Sequence, residues 1–206
     1  MLYLASRSPQ RARLLAAAGV PFTVVATACS EETVSAPLPS VLALERARCK
    51  ARSARDVPPG AIVLGADTVV ALGNAVLGNP GDAAEVAAML RRLSGTTHQV
   101  FTAHCLCCAG SDREARAVTM ARVTMRPLTE EEIAAYAASG EGIGKAGGYA
   151  IQERGDRFIV DLQGAPETVI GLHVPTVAKL WRELTDTALP GYRGSSPSGP
   201  LRAVRP

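Results

Sequence analysis

The sequence predicts an α/β protein, and three observations carry that prediction. A short apolar strand at Leu2–Ala5 runs straight into a proline-started helix. A second apolar run, Ile62-Val-Leu-Gly-Ala66, leads to a single acid, Asp67. Two long, partly alternating stretches flank the turn Gly110-Ser-Asp112. A strand that feeds a capped helix opens an α/β unit, and partial alternation across a short turn suits an antiparallel pair. A chain of 206 residues is long enough for one such domain, or for one domain in two lobes. We bound the domain at residues 1–187. The Pro, Gly, Ser and Arg composition of 188–206 is expected to leave that tail disordered.

Composition narrows the function classes. A net charge of +3 is too small to make nucleic acid a bulk electrostatic partner. No apolar run approaches the length of a membrane-spanning helix. The start, Met1-Leu-Tyr-Leu-Ala-Ser6, lacks the basic-then-apolar order of a signal peptide and reads as a first strand. Cys29, Cys49, Cys105, Cys107 and Cys108 are odd in number and crowded, a poor disulfide framework. His98 and His104 lie near the triplet, but no second ligand pair at a zinc spacing follows. All five cysteines are therefore expected to be free, small apolar residues in a reducing compartment.

In chain order, Ser8 caps and Pro9 begins a helix that continues from Arg11 to Ala18 and ends at Gly19. Its N-terminus follows a strand directly, which makes it an anion site flanked by Arg7 and Arg11. Phe22–Ala26 is a second strand, and Ser30-Glu31-Glu32-Thr33 lies in the polar loop after it. A helix is expected from Pro39 or Ser40 to about Ala54. Arg46 and Lys50 lie on one face of it, one turn apart, amid Arg48, Arg52 and Arg55.

Ile62–Ala66 is a core strand with Asp67 at its end, where α/β proteins place chemistry. A carboxylate in so apolar a run must be paired, hydrogen-bonded or holding a cation. Thr68–Leu72 and Ala75–Leu77 read as a hairpin around Gly73-Asn74. A helix spans about Asp82–Leu93 with Val86, Leu90 and Leu93 buried. Thr97–Ala109 and Ala115–Arg126 are the long strands. Thr129 and Glu132 form a capping box for a helix that ends near Ser139-Gly140. Five glycines fall within 140–148, either a hinge or a backbone that comes close to a ligand. Arg157–Leu162 is a strand and Gly164–Val169 a loop. The last helix, about Pro175–Thr185, buries Val174, Val177, Trp181 and Leu184.

Five motifs in order resemble one known family: Leu4-Ala-Ser6-Arg-Ser8-Pro9-Gln10-Arg11, Leu64-Gly-Ala-Asp67-Thr68, Leu93-Ser94-Gly95 with His98-Gln-Val100, Lys145-Ala-Gly-Gly-Tyr149-Ala-Ile151-Gln152, and Val169-Ile-Gly171-Leu172. Together they are similar to the Maf nucleoside triphosphate pyrophosphatases over about residues 2–185. The resemblance implies a mixed, bent sheet with flanking helices forming two lobes around a cleft, similar to the inosine triphosphate pyrophosphatase fold. It implies a cytoplasmic homodimer that cleaves a nucleoside triphosphate to the monophosphate and pyrophosphate with a divalent metal, Mg²⁺ or Mn²⁺. Nucleic acid and membrane are not expected partners. Asp-Thr after the core strand and Ile-Gln after the glycine run look like the branch acting on dTTP and UTP.

Carried over residue by residue, the resemblance makes Asp67 the catalytic acid that activates water and Glu31 an acid that helps hold metal with it. Ser8, Arg11, Arg46 and Lys145 would bind substrate, and Gln10, Thr68 and Gln152 would bear on specificity. Four positions depart from the family pattern. Gln10 replaces an arginine, Arg46 a helix lysine, Asn79 the lysine of a Gly-Lys-Pro, and Gly144 the acid before Lys145. Each lost cation removes charge-assisted hydrogen bonds of roughly 1.5–3 kcal/mol. The alternative is therefore a nucleotide-binding relative with weak or lost catalysis. A thiol or metal module at 105–108 is a third, remote reading. The chemistry is coherent without the family: a triphosphate needs cations, amide donors and a metal, and one carboxylate to orient water.

Overall fold

The computed structural model describes residues 1–194. The hydrogen-bonded strand order is β2-β1-β3-β5-β6-β7, with β4 on β3. Packing divides the described residues into two units: Met1–Asp67, Thr102–Thr119 and 171–194, then Thr68–Phe101 with Met120–Ile170. The mixed α/β architecture is as the sequence predicts. β1 (Leu2–Leu4) pairs in parallel with β2 (Phe22–Val24) and with β3 (Ile62–Leu72), whereas β6 (Glu114–Met125) and β7 (Ile159–Gln163) are antiparallel.

The first unit positions the acids. β1 aligns Leu2 with Ile62 and Leu4 with Leu64, and Ala5 N donates to Leu64 O at 2.9 Å, which fixes the height of β3. α1 (Pro9–Ala17) starts as its cap signals require, with the Ser8 hydroxyl accepting from Arg11 N and Pro9 in the first turn. α2 (Pro39–Arg52) lies against β3 at Gly65. A Cβ there would stand 2.6 Å from Ala51 N and closer still to Ala47 O, so only glycine lets this helix approach. β2 stops at Val24, short of the expected Ala26. The chain leaves the sheet to bridge Thr27 with Ala54, and Ala28 N donates to Ser53 O at 3.0 Å beyond the end of α2.

β3 corrects the sequence reading of its length. Asp67 does not end a strand; one strand of 11 residues continues through it to Leu72. Its far half forms the expected hairpin with β4 (Ala75–Leu77), in register Val70↔Leu77 and Leu72↔Ala75. β5 (Thr97–Cys108) and β6 match the two expected long strands closely. α6 (Val174–Thr185) buries Val174, Val177, Leu180, Trp181 and Leu184, and Trp181 Nε1 donates to Thr187 Oγ1 at 3.2 Å. Leu189 is only 3% exposed and Gly191 packs on Gly19, so the first residues of the expected tail have packed positions. Residues 195–206 of that tail lie outside the described residues.

The second unit has its own core. Val70, Leu77, Val86, Leu90, Leu93, Val100, Val123, Met125, Ile133, Tyr136, Tyr149 and Phe158 form one buried cluster. α3 (Ala83–Leu93) supplies the predicted stripe, capped by Asp82, whose Oδ1 accepts from Glu85 N at 2.8 Å. α4 (Glu130–Ala138) carries the predicted capping box of Thr129 and Glu132. Tyr136 meets Phe158 edge-on at 5.2 Å, and Tyr149 OH lies 2.8 Å from His98 Nε2. The glycine run is packed on its own backbone: a Cβ on Gly142 would collide with Gly148 O, and Gly147 N donates to Gly78 O at 3.1 Å. A helical turn, α5 (Pro166–Ile170), takes the place of the expected loop, and a 3-10 turn at Arg154–Phe158 delays β7 to Ile159.

Candidate active site

Asp67 sits in mid-strand with 3% of its surface exposed. Its Oδ1 is 2.6 Å from Lys50 Nζ, and the same ammonium is 2.7 Å from Glu31 Oε1. Lys50 itself is 6% exposed, on the face of α2 that bears Ala47 and Ala51 against β3. Glu31 opens a short 3-10 turn, Glu31–Thr33, held by Thr33 Oγ1 donating to Ser30 O at 2.9 Å; its side chain is 40% exposed. One buried ammonium therefore joins a buried carboxylate to one that reaches solvent. Asp67 Oδ2 is buried without a hydrogen-bond partner. A native protein rarely leaves a carboxylate oxygen in that condition away from a functional site.

Arg11 completes the charge pattern. Its Nε donates to Gly171 O at 2.9 Å and its Nη1 to Ser6 Oγ at 3.1 Å. Burial lowers the guanidinium pKa, against the opposing charges of Asp67 and then Glu31. Burial pushes the Asp67 carboxyl above its ordinary value; Lys50 and Arg11 oppose this and Glu31 adds to it. For Glu31, burial alone would raise the pKa, but the hydrogen bond and charge of Lys50, followed by Arg46 and Arg11, hold it below the usual carboxylate value. Two carboxylates one ammonium apart are thus driven in opposite directions, a common arrangement where one group must hold charge and the other handle a proton.

The lysine on the acids is Lys50, and the sequence reading gave that position to Arg46. Arg46 Nε is buried with no hydrogen-bond partner, and Arg46 acts on Glu31 only through its charge. The two residues share a helix face, so spacing alone could not separate them. The signal available was the small-residue run beside Lys50, since Ala47 and Ala51 mark the part of α2 closest to β3. Ser6 was also missed; it is buried, and its hydroxyl receives both Arg11 Nη1 and Ser8 N, the latter at 3.2 Å.

A second correction concerns sulfur. Cys29 and Cys49 are joined by a disulfide across 20 residues, with Cα atoms 5.5 Å apart. The bridge of Thr27 to Ala54 brings these cysteines together, a juxtaposition invisible to a count. Cys105, Cys107 and Cys108 are free, as expected. Burial pushes the Cys105 thiol up to about 12, which makes it inert.

The remaining predicted residues divide by unit. Ser8, Gln10, Arg11, Glu31, Arg46 and Asp67 belong to the first; Thr68, Asn79, Lys145 and Gln152 belong to the second. Ser8 Oγ donates to Gln10 Oε1 at 3.2 Å, so Gln10 packs on the helix cap. Lys145 Nζ lies 3.3 Å from Glu153 Oε2, and Gln152 and Asn79 are exposed.

Glu31 and Asp67 are the residues of the first unit that could hold a divalent cation. The carboxylates of Glu31 and Asp67 are hard oxygen donors of the kind Mg²⁺ and Mn²⁺ take. Among the described residues no group of three or more His, Cys, Asp or Glu could hold a metal ion. Two carboxylates with the balance from phosphate and water is the usual pattern for Mg²⁺ on a nucleotide. No helix among the described residues is long and apolar enough to cross a membrane.

Residues 1–184 match the sequence profile of the family described as Maf-like protein. The chain is 47% identical over 176 residues to the dTTP/UTP pyrophosphatase of Xanthomonas euvesicatoria pv. vesicatoria, covering 84% of this chain and 92% of that protein. It is 44% identical over 179 residues to the dTTP/UTP pyrophosphatase of Deinococcus radiodurans, covering 87% and 90%. It is 44% identical over 176 residues to the protein of the same name from Escherichia coli O157:H7, covering 83% and 86%.

Proposed function

We propose, from the premise that this chain belongs to the Maf family, that it hydrolyses dTTP and UTP to the monophosphate and pyrophosphate. The relatives' shared name supports the substrate pair. The observation that carries the chemistry is Asp67: buried, with Oδ1 engaged by Lys50 and Oδ2 without a hydrogen-bond partner. Lys50 fixes the carboxylate's rotation through Oδ1, so Oδ2 is the atom presented to a water. Burial raises the basicity of that oxygen, which improves it as a proton acceptor near neutral pH.

Arg11, tied to Gly171 O and Ser6 Oγ, and the capped N-terminus of α1 supply positive potential for phosphate oxygens. A divalent cation held by Asp67 and Glu31 would, when bound, set its charge against that of the triphosphate. Lys145 and the specificity positions Thr68, Gln152 and Gln10 keep the roles that the family resemblance assigns them. That resemblance also extends the reading to a cytoplasmic homodimer.

The test is pyrophosphate release from a panel of canonical and modified triphosphates with Mg²⁺ or Mn²⁺. Asp67→Asn should lower turnover on dTTP and UTP by about 10²–10⁴-fold, the usual worth of a positioned base. Nucleotide binding with no turnover above that variant would sink the enzyme reading and leave the binding-protein alternative, for which Gln10 and Asn79 are the reason.

A further inference from the structure

We propose that Cys29 and Cys49 form a thiol–disulfide switch that governs the order of the Glu31 turn. The proposal rests on the candidate site for its consequence but on separate observations for its existence. Cys29 lies two residues before Glu31, and Cys49 immediately precedes Lys50. The bond therefore joins the two chain segments that carry the partners of one ion pair.

The segment leading to Cys29 is laced to the end of α2 without it. Thr27 Oγ1 donates to Lys50 O at 3.0 Å and lies 2.7 Å from Ser53 Oγ, Ala28 N donates to Ser53 O at 3.0 Å, and Arg55 N to Ala26 O at 2.9 Å. These bonds to α2 end at Ala28, and Cys29 N donates back to Thr27 Oγ1 at 3.3 Å. Beyond it, Glu31–Thr33 is held by hydrogen bonds within the turn and by the ion pair of the half-exposed Glu31 with Lys50. The turn is thus held to α2 by the bond at Cys29, by one partly solvated ion pair and by the charge of Arg46 on Glu31. Partly solvated pairs hold weakly. Breaking the disulfide leaves Thr27–Cys29 docked, so the two thiols stay near each other, while the Glu31 turn loses its covalent tether. A local opening of that kind costs little in a segment with few buried contacts.

The co-reactant is a low-molecular-weight dialkyl disulfide. One cysteine thiolate attacks it, forming a mixed disulfide and releasing one thiolate. The other cysteine then attacks the protein sulfur of that mixed disulfide, forming the Cys29–Cys49 bond and releasing the second thiolate. The protein gives up two electrons and two protons, and the small disulfide becomes two thiols. Both cysteines are half-buried, which leaves them open to exchange, whereas Cys105 is buried and its thiol is held protonated.

The experiment equilibrates the full chain with oxidised and reduced glutathione at a series of ratios. Three quantities are read: the Cys29–Cys49 cross-linked peptide by alkylation and mass mapping, hydrogen exchange of amides 29–34, and Mg²⁺-dependent pyrophosphate release. On reduction, exchange at 29–34 should rise about tenfold while α3 and α4 stay unchanged. The Mg²⁺ concentration for half-maximal release should rise about fivefold, the low end of a site-to-site coupling. Cys29→Ser should behave as the reduced protein in both buffers, and Cys105→Ser should respond like the wild type. Absence of the cross-linked peptide at every ratio, equal exchange in both forms, or an Mg²⁺ requirement indifferent to a demonstrated change in exchange overturns the switch. Altered exchange without turnover in either form upholds the switch in the Glu31 turn and refutes the pyrophosphatase reading instead.

Discussion

Replacing Lys50 by methionine removes the charge between Glu31 and Asp67 and nearly keeps the side-chain volume. The ammonium is 2.6 Å from one acid and 2.7 Å from the other, but the two losses are unequal. Glu31 is 40% exposed and can be solvated by water. Asp67 is 3% exposed and cannot. Stranding a buried charge in this way costs about 3–5 kcal/mol. Asp67→Asn in the same chain removes the stranded charge, so Lys50→Met with Asp67→Asn should return to within about 2 kcal/mol of the wild type, because a buried pair is worth little against a neutral replacement. Urea unfolding at pH 7 reads both values from the midpoint and slope. The sign with pH follows from Asp67, whose folded pKa is already raised by burial and rises further when Lys50 is gone. A raised acid is destabilising at high pH and ceases to be so as pH falls through its folded pKa. The deficit of Lys50→Met relative to wild type should therefore shrink between pH 7 and pH 5. A single variant within about 1 kcal/mol of wild type, or a double variant no better than the single, would refute the reasoning.

Gly65→Ala should destabilise by about 1–3 kcal/mol or more, because the new Cβ meets the backbone of α2 at Ala47 and Ala51 and not a flexible side chain; circular dichroism melts give the value. Buried His98 and His104 have pKa values lowered from 6.5 to about 4 and about 3, each chiefly by burial, and His104 Nε2 accepts from His173 N at 2.9 Å, a bond its protonation there would break. A depressed pKa contributes stability that is present above the unfolded value and lost as pH falls, so several kcal/mol should disappear between about pH 6.5 and pH 4; a flat urea midpoint over that range contradicts it. Asn79→Lys restores a cation at an exposed position and should raise turnover by about one order of magnitude; an unchanged rate in the pyrophosphate assay would show that the departure from the family pattern is silent.

What the sequence revealed was local. The caps at Ser8 and Thr129 and the stripe Val86, Leu90 and Leu93 depend on residues within one or two turns, and each is found in its place. What it concealed depended on distant partners. β3 runs on through Asp67 because an ammonium 17 residues back neutralises the acid, so the strand has no charge to expel. Arg46 and Lys50 shared one helical face, and the closeness of α2 to Gly65 decided which of them met the acids. The Cys29–Cys49 bond required knowing that the chain after β2 turns back along the end of α2. The pairing of Lys145 with Glu153 depended on a glycine run folding onto its own backbone.

Trp181 is the chain's one tryptophan, and it is buried in α6, in the first of the two units. Its emission is therefore a single-site optical reporter for that unit. The second unit, with Tyr136, Tyr149 and Phe158 in its core, has no indole among its described residues. Far-ultraviolet dichroism draws on helices of both. Monitored side by side in urea, the two signals follow different parts of one chain. Coincident curves would identify a single cooperative transition, and separated curves would reveal a state in which one unit has melted while the other persists. The position of one indole thus decides how every stability measurement on this protein should be recorded.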